Sequence, residues 1–499
     1  MSIRQSIRKW FGREPARSVA PRLRAFDGAR QDEITFGFTS TNAAIDVEIA
    51  GALERLRGRS RTLAQNNDYA KKFLSQVECN VVGPTGFMLQ VRAEEGGRPD
   101  ALANTLIEHS FTDWGRRGVC EVSGQLSFVE VQQVVATTRA RDGEALVRTV
   151  RGSEAGNRFG FALQLLDVDR LPIGYNVDLG NGSRIVMGVE INRYGRPVAY
   201  HLHRNHPGAV PSSYAYASME RVPATDILHL FRAMRPEQRR GVPAMHTAML
   251  RMEMLGKFDL AAAAAARKGA ETLGFFVSPN GEVLPGDATA ADGNQVQTSA
   301  PGTYDTLPAG YDYRPHDTKY PSDVYGAFVK ASLRGIAAGL GVSYNSLAND
   351  LEGVNYSSIR AGVLEERDMW MAEQGWLIEA FLRPVYEGWL RSALLAQAVA
   401  YPGGSALPAT KLDKFLAHHW QGRRWAWVDP QKDIEANIAA INAKLKSRRE
   451  VIAEQGRDIE DVWTQLQAEQ DMAGGYGLDL AAAPKTASDQ TPEPVTSSG

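Results

Sequence analysis

Between Tyr325 and Leu340 the apolar positions Tyr325, Phe328, Val329, Leu333, Ile336 and Leu340 recur at spacings that fall on one face of a helix. Ser322, following Pro321, is placed to cap the first turn. Gly339 and Gly341 are placed to stop the helix, since glycine enters the left-handed cap conformation without a steric cost. From Val342 to Tyr356 no period holds, and Asn345, Asn349, Asp350, Gly353 and Asn355 supply turn chemistry. Ser357 or Ser358 then opens a second helix that runs past Trp376 and meets Pro384. A loop of roughly fifteen residues between two strong helices is unusual inside a compact domain and points to function.

Upstream, Ala43 to Val77 reads as helix, interrupted at RLRGRSR, where Arg55, Arg57, Arg59 and Arg61 alternate around Gly58 as in a basic loop. Glu78 to Arg92 reads as a β-hairpin turning at Gly83, Pro84 and Gly86. A helix is expected over Ala101 to Trp114. Another starts at the capping box of Ser127 and Glu130 and runs to about Ala140. After Asp142-Gly143 the period changes to two, which predicts strands at Ala145–Arg151, Phe161–Val168, Val186–Asn192 and Pro197–Arg204. The last two pair as a hairpin through Arg193-Tyr194-Gly195-Arg196. The region to about residue 235 is therefore α+β.

Pro243, at a first helical position, predicts a helix to about Thr272, on the order of 45 Å long. Six consecutive alanines, Ala261 to Ala266, make its second half narrow, which suits close packing against neighbours. A ring of identical helices would use such a helix, and so would a central helix within one subunit. Gly274 to Tyr320 is rich in turn residues and carries Glu282, Asp287, Asp292, Asp305, Asp312 and Asp317 against Arg314 and Lys319, as expected of a small acidic β-type module. A helix with Trp370, Trp376 and Trp389 leads to a loop at Pro402-Gly403-Gly404. Residues 411 to 470 read as helical: Asp429-Pro430 opens one helix, Ser447 and Glu450 box a second that Gly456 ends, and Asp458 caps the last. From Met472 the composition turns to Ala, Pro, Ser and Thr, as in a disordered tail.

At 499 residues the chain is long for one core, so two to four subdomains are expected. A net charge of −2 argues against coating nucleic acid by bulk charge, so any DNA contact must be local. Residues 1 to 30 are the exception, with eight Arg and Lys against Glu14 and Asp27: a solvated basic arm, or one that touches DNA or an assembly partner. Cys79 and Cys120 lie far apart without metal-ligand spacing and suit a reducing compartment. There is no apolar run at the amino terminus to suggest a signal peptide. The stretch 242–274 carries Arg251, Glu253, Lys257, Asp259, Arg267 and Lys268, a load that no bilayer would accept.

His201 and His203 share a strand face and His206 follows, so a metal site competes with ordinary packing or surface roles; no cysteine or obvious carboxylate joins them. No phosphate-cradling G-x-x-x-x-G-K-[ST], no G-x-S-x-G and no H-E-x-x-H is present, and no cofactor is expected. Glu365, Glu366 and Asp368 lie on the long helix, where a solvated or intersubunit face is the ordinary expectation. The chain does not read as an enzyme.

The series RGIAAGLGVSYNSLANDLEGVNYSSIR resembles the lambda-type portal proteins of tailed phages. NNDYAKKFLSQVECNVVGPTGFMLQ, ARDGEALVR, GVEINRYGRPVAYHLH, FRAMRPEQRRGVPAM, WVDPQKDIEANIAAI and REVIAEQGRDIEDVW fall in that family's order, so the resemblance spans roughly residues 60 to 470. It implies a portal fold: an α+β wing over 41–235 behind the arm 1–40, stem helices over 236–273 and 321–341, and a clip over 274–320 between them. A tunnel loop over 342–356, a long kinked helix over 357–400, a helical crown over 401–471 and a tail over 472–499 complete it. It implies a closed homo-oligomer, usually a dodecamer, at one capsid vertex of the virion, assembled in the host cytoplasm. The partners implied are the terminase large subunit, capsid and scaffold proteins, head-completion adaptors and double-stranded DNA read without sequence specificity; no membrane is implied. Within that frame Lys330 and Arg334, four apart on one helical face, are expected either to meet DNA in the channel or to be solvated or paired with carboxylates. Asn345, Asn349, Asp350 and Asn355 would belong to the tunnel loop, and Glu282, Asp287, Asp292 and Asp305 to the terminase-facing clip. The competing expectation is a DNA-processing enzyme of the packaging apparatus, a terminase or nuclease subunit.

Overall fold

The computed structural model describes residues 42–209, 219–271, 274–277, 288–289, 295–296, 312–315, 324–352, 356–401, 403–425 and 430–476. The expected caps and sites at Ser322, Asn355, Glu282, Asp287, Asp292 and Asp305, and the basic arm, lie outside these residues.

Helix α1 (Ile45–Asn66) runs unbroken through the arginine-rich stretch that reads as a loop. Its buried side chains Ile45, Ile49, Leu53 and Arg57 follow one another in steps of four, so Arg57 continues the apolar stripe and is itself buried. The break falls instead at Asn67, whose side chain caps α2 (Asp68–Val77) by accepting from the amide of Ala70. The expected hairpin after it is also corrected. Glu78–Val82 continues as a π-helical turn closed by Gly83, and the strand β1 (Met88–Val91) pairs with residues 418–421 from the far end of the chain. The short strands β2 (Glu94–Glu95) and β3 (Arg98–Pro99) form a minimal hairpin before α3 (Ala101–Trp114). Helix α4 (Phe128–Asp142) opens on the expected capping box of Ser127 and Glu130.

The β region forms as expected, with extra strands. β4 (Glu144–Arg151) lies between β5 (Phe161–Leu166) and a later strand, while β6 (Val177–Gly180), β7 (Ser183–Val186), β8 (Val189–Ile191) and β9 (Pro197–His203) meander antiparallel. The later strands are β10 (Met219–Pro223), which joins β9, and β11 (Ile227–Phe231), which joins β4. The result is a five-stranded and a three-stranded sheet sharing a core of Leu146, Leu166, Val189, Tyr200, Leu202 and Val222.

Helix α5 (Met249–Glu271) starts six residues later than Pro243 suggests, because the chain from Pro243 makes isolated turns first, such as the amide of His246 to the carbonyl of Pro243. Its 23 residues span ~35 Å. Beyond it β12 (Gly274–Val277) pairs with β15 (Asp312–Pro315), and β13 (Ala288–Thr289) with β14 (Gln295–Val296), so the segment 274–320 contains β structure as expected. Helix α6 (Tyr325–Leu340) returns along α5. Phe258 of α5 stacks on Tyr325 at 5.7 Å and meets Phe328 edge-on at 4.9 Å, and Thr247 donates to the carbonyl of Gly339 at 2.7 Å. Gly339 is therefore inside the helix, at a close approach, and Gly341 alone ends it with φ 72°.

The stretch expected to be aperiodic contains a short helix, α7 (Tyr344–Ala348), capped by Ser343 and ended by Asn349 in the left-handed region. Helix α8 (Tyr356–Leu377) passes through a π-helical turn at Ile378–Leu382 into α9 (Arg383–Leu395), with Pro384 at its first turn. That insertion keeps the chain helical across Pro384, as expected of a helix that carries Trp370, Trp376 and Trp389. After a turn of helix α10 (Leu412–Phe415), residues expected to be helical form instead the strand β16 (His418–Gln421), which pairs with β1. Helices α11 (Pro430–Asn442), α12 (Arg448–Glu454) and α13 (Ile459–Gly475) follow, with the expected box at Ser447 and Glu450 and cap at Asp458.

Both halves of the chain share the main core. Phe111 of α3 meets Trp389 of α9 edge-on at 4.9 Å and Phe128 of α4 at 5.4 Å. Trp114 donates its indole N–H to the carbonyl of Phe161 at 2.8 Å, so this large buried ring leaves no polar atom unsatisfied. No helix among the described residues is long and apolar enough to cross a membrane.

Candidate functional site

The segment 343–352 is held between two helices. On the α8 side, Glu366 accepts from the hydroxyl of Ser343 at 2.7 Å, the hydroxyl of Ser346 at 3.2 Å and the indole N–H of Trp370 at 3.2 Å. Ser343 uses its remaining acceptor capacity to cap α7 through the amide of Ser346. Gln76 of α2 donates to the hydroxyl of Ser346 from a third element. Glu366 is thus a partly buried anchor rather than part of a solvated acidic face, whereas its neighbours Glu365 and Asp368 are exposed.

On the α6 side the segment engages both cations singled out by the sequence. Lys330 Nζ lies 3.1 Å from Asp350 Oδ2 and 3.7 Å from Glu352. The phenol of Tyr344 donates to the same Asp350 oxygen at 2.6 Å, and the amide of Glu352 donates to the other at 3.0 Å. These donors, Tyr344 foremost, hold the Asp350 carboxyl down at about 2. Burial and the adjacent Asp350 push the Tyr344 phenol up to about 12, so it stays a donor. The guanidinium of Arg334, one turn along from Lys330, sits 5.4 Å from the centroid of the Tyr344 ring. Of the expected loop residues, Asp350 carries this contact, Asn349 caps α7 and Asn345 is half-buried on it.

The three histidines do not converge. His201 bonds Glu190 at 3.0 Å, an acceptor that also takes both arms of Arg221; Arg221 first, then His201, holds it down at about 2. His203 is buried. His206 lies 3.8 Å from Asp167 and 3.7 Å from Asp169, the one acidic–histidine group of metal-binding size among the described residues. Yet Asp169 already holds Arg57 at 2.7 Å and Arg61 at 2.5 Å, and Asp167 also meets Arg61. Two guanidiniums supply the positive charge that a cation would bring, so the donor set does not fit a metal.

Sequence reasoning missed a buried charge cluster beneath this region. Glu144, at the start of β4, is fully buried and accepts from Arg240, Arg57, His229 and the amide of Gly241. Burial alone would raise its carboxyl, but the fields of Arg240, His229 and Arg57 outweigh that and set it well below the ordinary value. Burial outweighs the adjacent carboxylate and holds His229 below its usual value. The four-residue step from Leu53 to Arg57 is the signal that could have revealed the cluster.

The family model described as phage portal protein, lambda family, matches residues 31–374. The chain is 35% identical over 460 residues, 91% of its own length and 87% of the relative's, to a probable portal protein of Halomonas phage phiHAP-1. It is 22% identical to portal protein B of Escherichia phage lambda, over 85% of this chain and 84% of that one. Among solved structures, a chain from the neck of an empty gene transfer agent particle computed with C6 symmetry aligns at 16% identity and a TM-score of 0.40, covering 85% of this chain and 98% of that one. The motif order, the length matched and the identity to a relative over most of both chains lead to one conclusion: the chain belongs to the lambda family of phage portal proteins.

Proposed function

We propose that this portal protein assembles into a closed homo-oligomeric ring, in the dodecameric form, at one capsid vertex, where terminase drives double-stranded DNA through it. The observation that carries the reading is the helix pair α5 and α6 with β12 paired to β15 between them. Two long antiparallel helices with a small β module across their ends make a stalk with a head, and identical stalks side by side give a tube. In this reading α5 and α6 are the stem, 274–320 the clip with Glu282, Asp287, Asp292 and Asp305 toward the motor and later the adaptors, and 342–356 the tunnel loop. The region to 235 with α8 and α9 is the wing, 401–471 the crown. Assembly with capsid and scaffold proteins takes place in the host cytoplasm and the product sits in the virion. DNA contact is by shape and diffuse charge, since any genome sequence must pass. Lys330 and Arg334, repeated around the ring, supply that charge.

The test joins residues 277 and 312 by a short turn and assays capture of the cognate terminase large subunit. The reading requires that the shortened chain keep a folded wing and lose capture. Undiminished capture would contradict the clip assignment.

A further inference from the structure

The two cations that the stem reading offers to DNA are both engaged by the chain's own 343–352 segment, and the manner of engagement suggests how they are regulated. Asp350 presents to Lys330 a carboxylate whose other oxygen is already held by the amide of Glu352, and Tyr344 bonds the same oxygen as Lys330 while its ring lies under Arg334. The first residue of α7 and the turn just beyond it thereby set an aromatic face against one cation and an anion against the other. We infer that Asp350 and DNA phosphate are alternative ligands of Lys330, so that DNA entering the channel displaces the α6 side of the segment. This rests on the reading that α6 faces DNA.

The two attachments differ in kind, which sets the direction of movement. The Lys330–Asp350 contact is an ion pair with a half-exposed lysine, the class that is weak and screened by salt. The Glu366 attachment is partly buried and made of two side-chain hydrogen bonds, from Ser343 and Ser346, with the Ser343 amide as a further donor at 3.3 Å, while Trp370 of the same helix holds the carboxylate in place. A duplex carries one phosphate charge per ~1.7 Å and gains further from counterion release, so it competes with a single carboxylate for the lysine but has no ligand to offer in place of Glu366. Displacement therefore frees residues 349–352 from α6 while Ser343 stays on α8. Without DNA, Asp350 offsets the charge of Lys330 and the Tyr344 ring lies against Arg334.

The experiment measures hydrogen–deuterium exchange of the assembled full-length protein with and without short linear duplex DNA at low salt, for the wild type, Asp350→Asn and Lys330→Gln. Addition of DNA to the wild type is expected to raise exchange several-fold in 349–352 and leave the Ser343 and Glu366 region unchanged. Asp350→Asn is expected to show raised exchange without DNA, no further rise with it, and several-fold tighter duplex binding than the wild type. Lys330→Gln is expected to show raised exchange without DNA and weaker binding. Bound DNA with unchanged exchange in the wild type would overturn the inference, as would Asp350→Asn binding DNA no better than the wild type. A duplex that binds none of the three proteins would overturn the DNA-facing reading of α6 itself, whereas the first two results leave that reading standing.

Discussion

Arg240 and Glu144, both without exposed side-chain surface, face each other where the chain leading into α5 meets β4, with Arg240 Nε and Nη2 donating to the carboxylate at 3.0 and 2.6 Å. The remaining Arg240 nitrogen donates to the carbonyls of Leu171 and Met187, and the next residue's amide returns to Glu144 at 2.9 Å. Glu144 also takes Arg57 of α1. The carboxylate thus ties α1, β4, β11 and the chain leading into α5 at one point.

Arg240→Met is expected to cost about 3–5 kcal/mol, the usual effect of stripping one partner from a buried pair and leaving the other charge behind. Chemical denaturation followed by tryptophan fluorescence measures it. The double variant with Glu144→Gln should lose less than the two single losses added together, because the partners share one interaction.

The same cluster sets an acid limit. His229 is held below its ordinary value by burial, so the unfolded chain binds its proton more readily, and stability falls as pH drops below about 6.5. Glu144 is held well below 4.5, so its contribution is complete above that value and is lost as pH falls further, through its folded-state value. The expected outcome is a melting temperature that declines from pH 7.5 to 5.5 and then more steeply below pH 4.5. His229→Gln should lower the melting temperature at pH 7.5 and flatten the first part of the decline.

Gly143 and Gly241 cross at the same joint, and a Cβ on Gly241 would lie 2.0 Å from the carbonyl oxygen of Gly143. Gly143 also sits at φ 92° as the cap of α4. Gly241→Ala is therefore expected to give little soluble protein or a loss of several kcal/mol, since backbone must move. Gly326→Ala, an exposed position on α6 with open space around it, should be stabilising by about 0.5–1 kcal/mol and serves as the control. Soluble yield and denaturation midpoint distinguish them.

What could be read from the sequence was local. The boxes at Ser127–Glu130 and Ser447–Glu450, the cap at Asp458 and the hairpin between β8 and β9 are decided by residues two to six apart, and they form as expected. The errors share a cause, which is distance along the chain. The Met88–Val91 strand pairs with His418–Gln421, so neither segment has its partner nearby, and each was assigned the wrong neighbour or the wrong element. Arg57 looked like a loop residue because its counter-charges, Glu144 and Asp169, lie far downstream. At the candidate site Lys330 and Arg334 were legible from their spacing, but their engagement by Asp350 and Tyr344 was not, because it depends on α7 folding inside a stretch without a period. The spacing that puts Glu366 on a solvated or intersubunit face likewise does not show its bonds to Ser343 and Ser346.

The central claim is that these subunits close into a ring around a channel. Head-to-tail contacts between identical chains either close or run on as filaments, so particle shape decides the matter. Negative-stain electron microscopy of the purified protein, with class averages along the symmetry axis, is the direct measurement. The account predicts discrete rings with a central opening and a fixed subunit number, twelve in the dodecameric form. Monomers that persist at high concentration across salt and magnesium conditions, or open filaments and shells in place of rings, would contradict it.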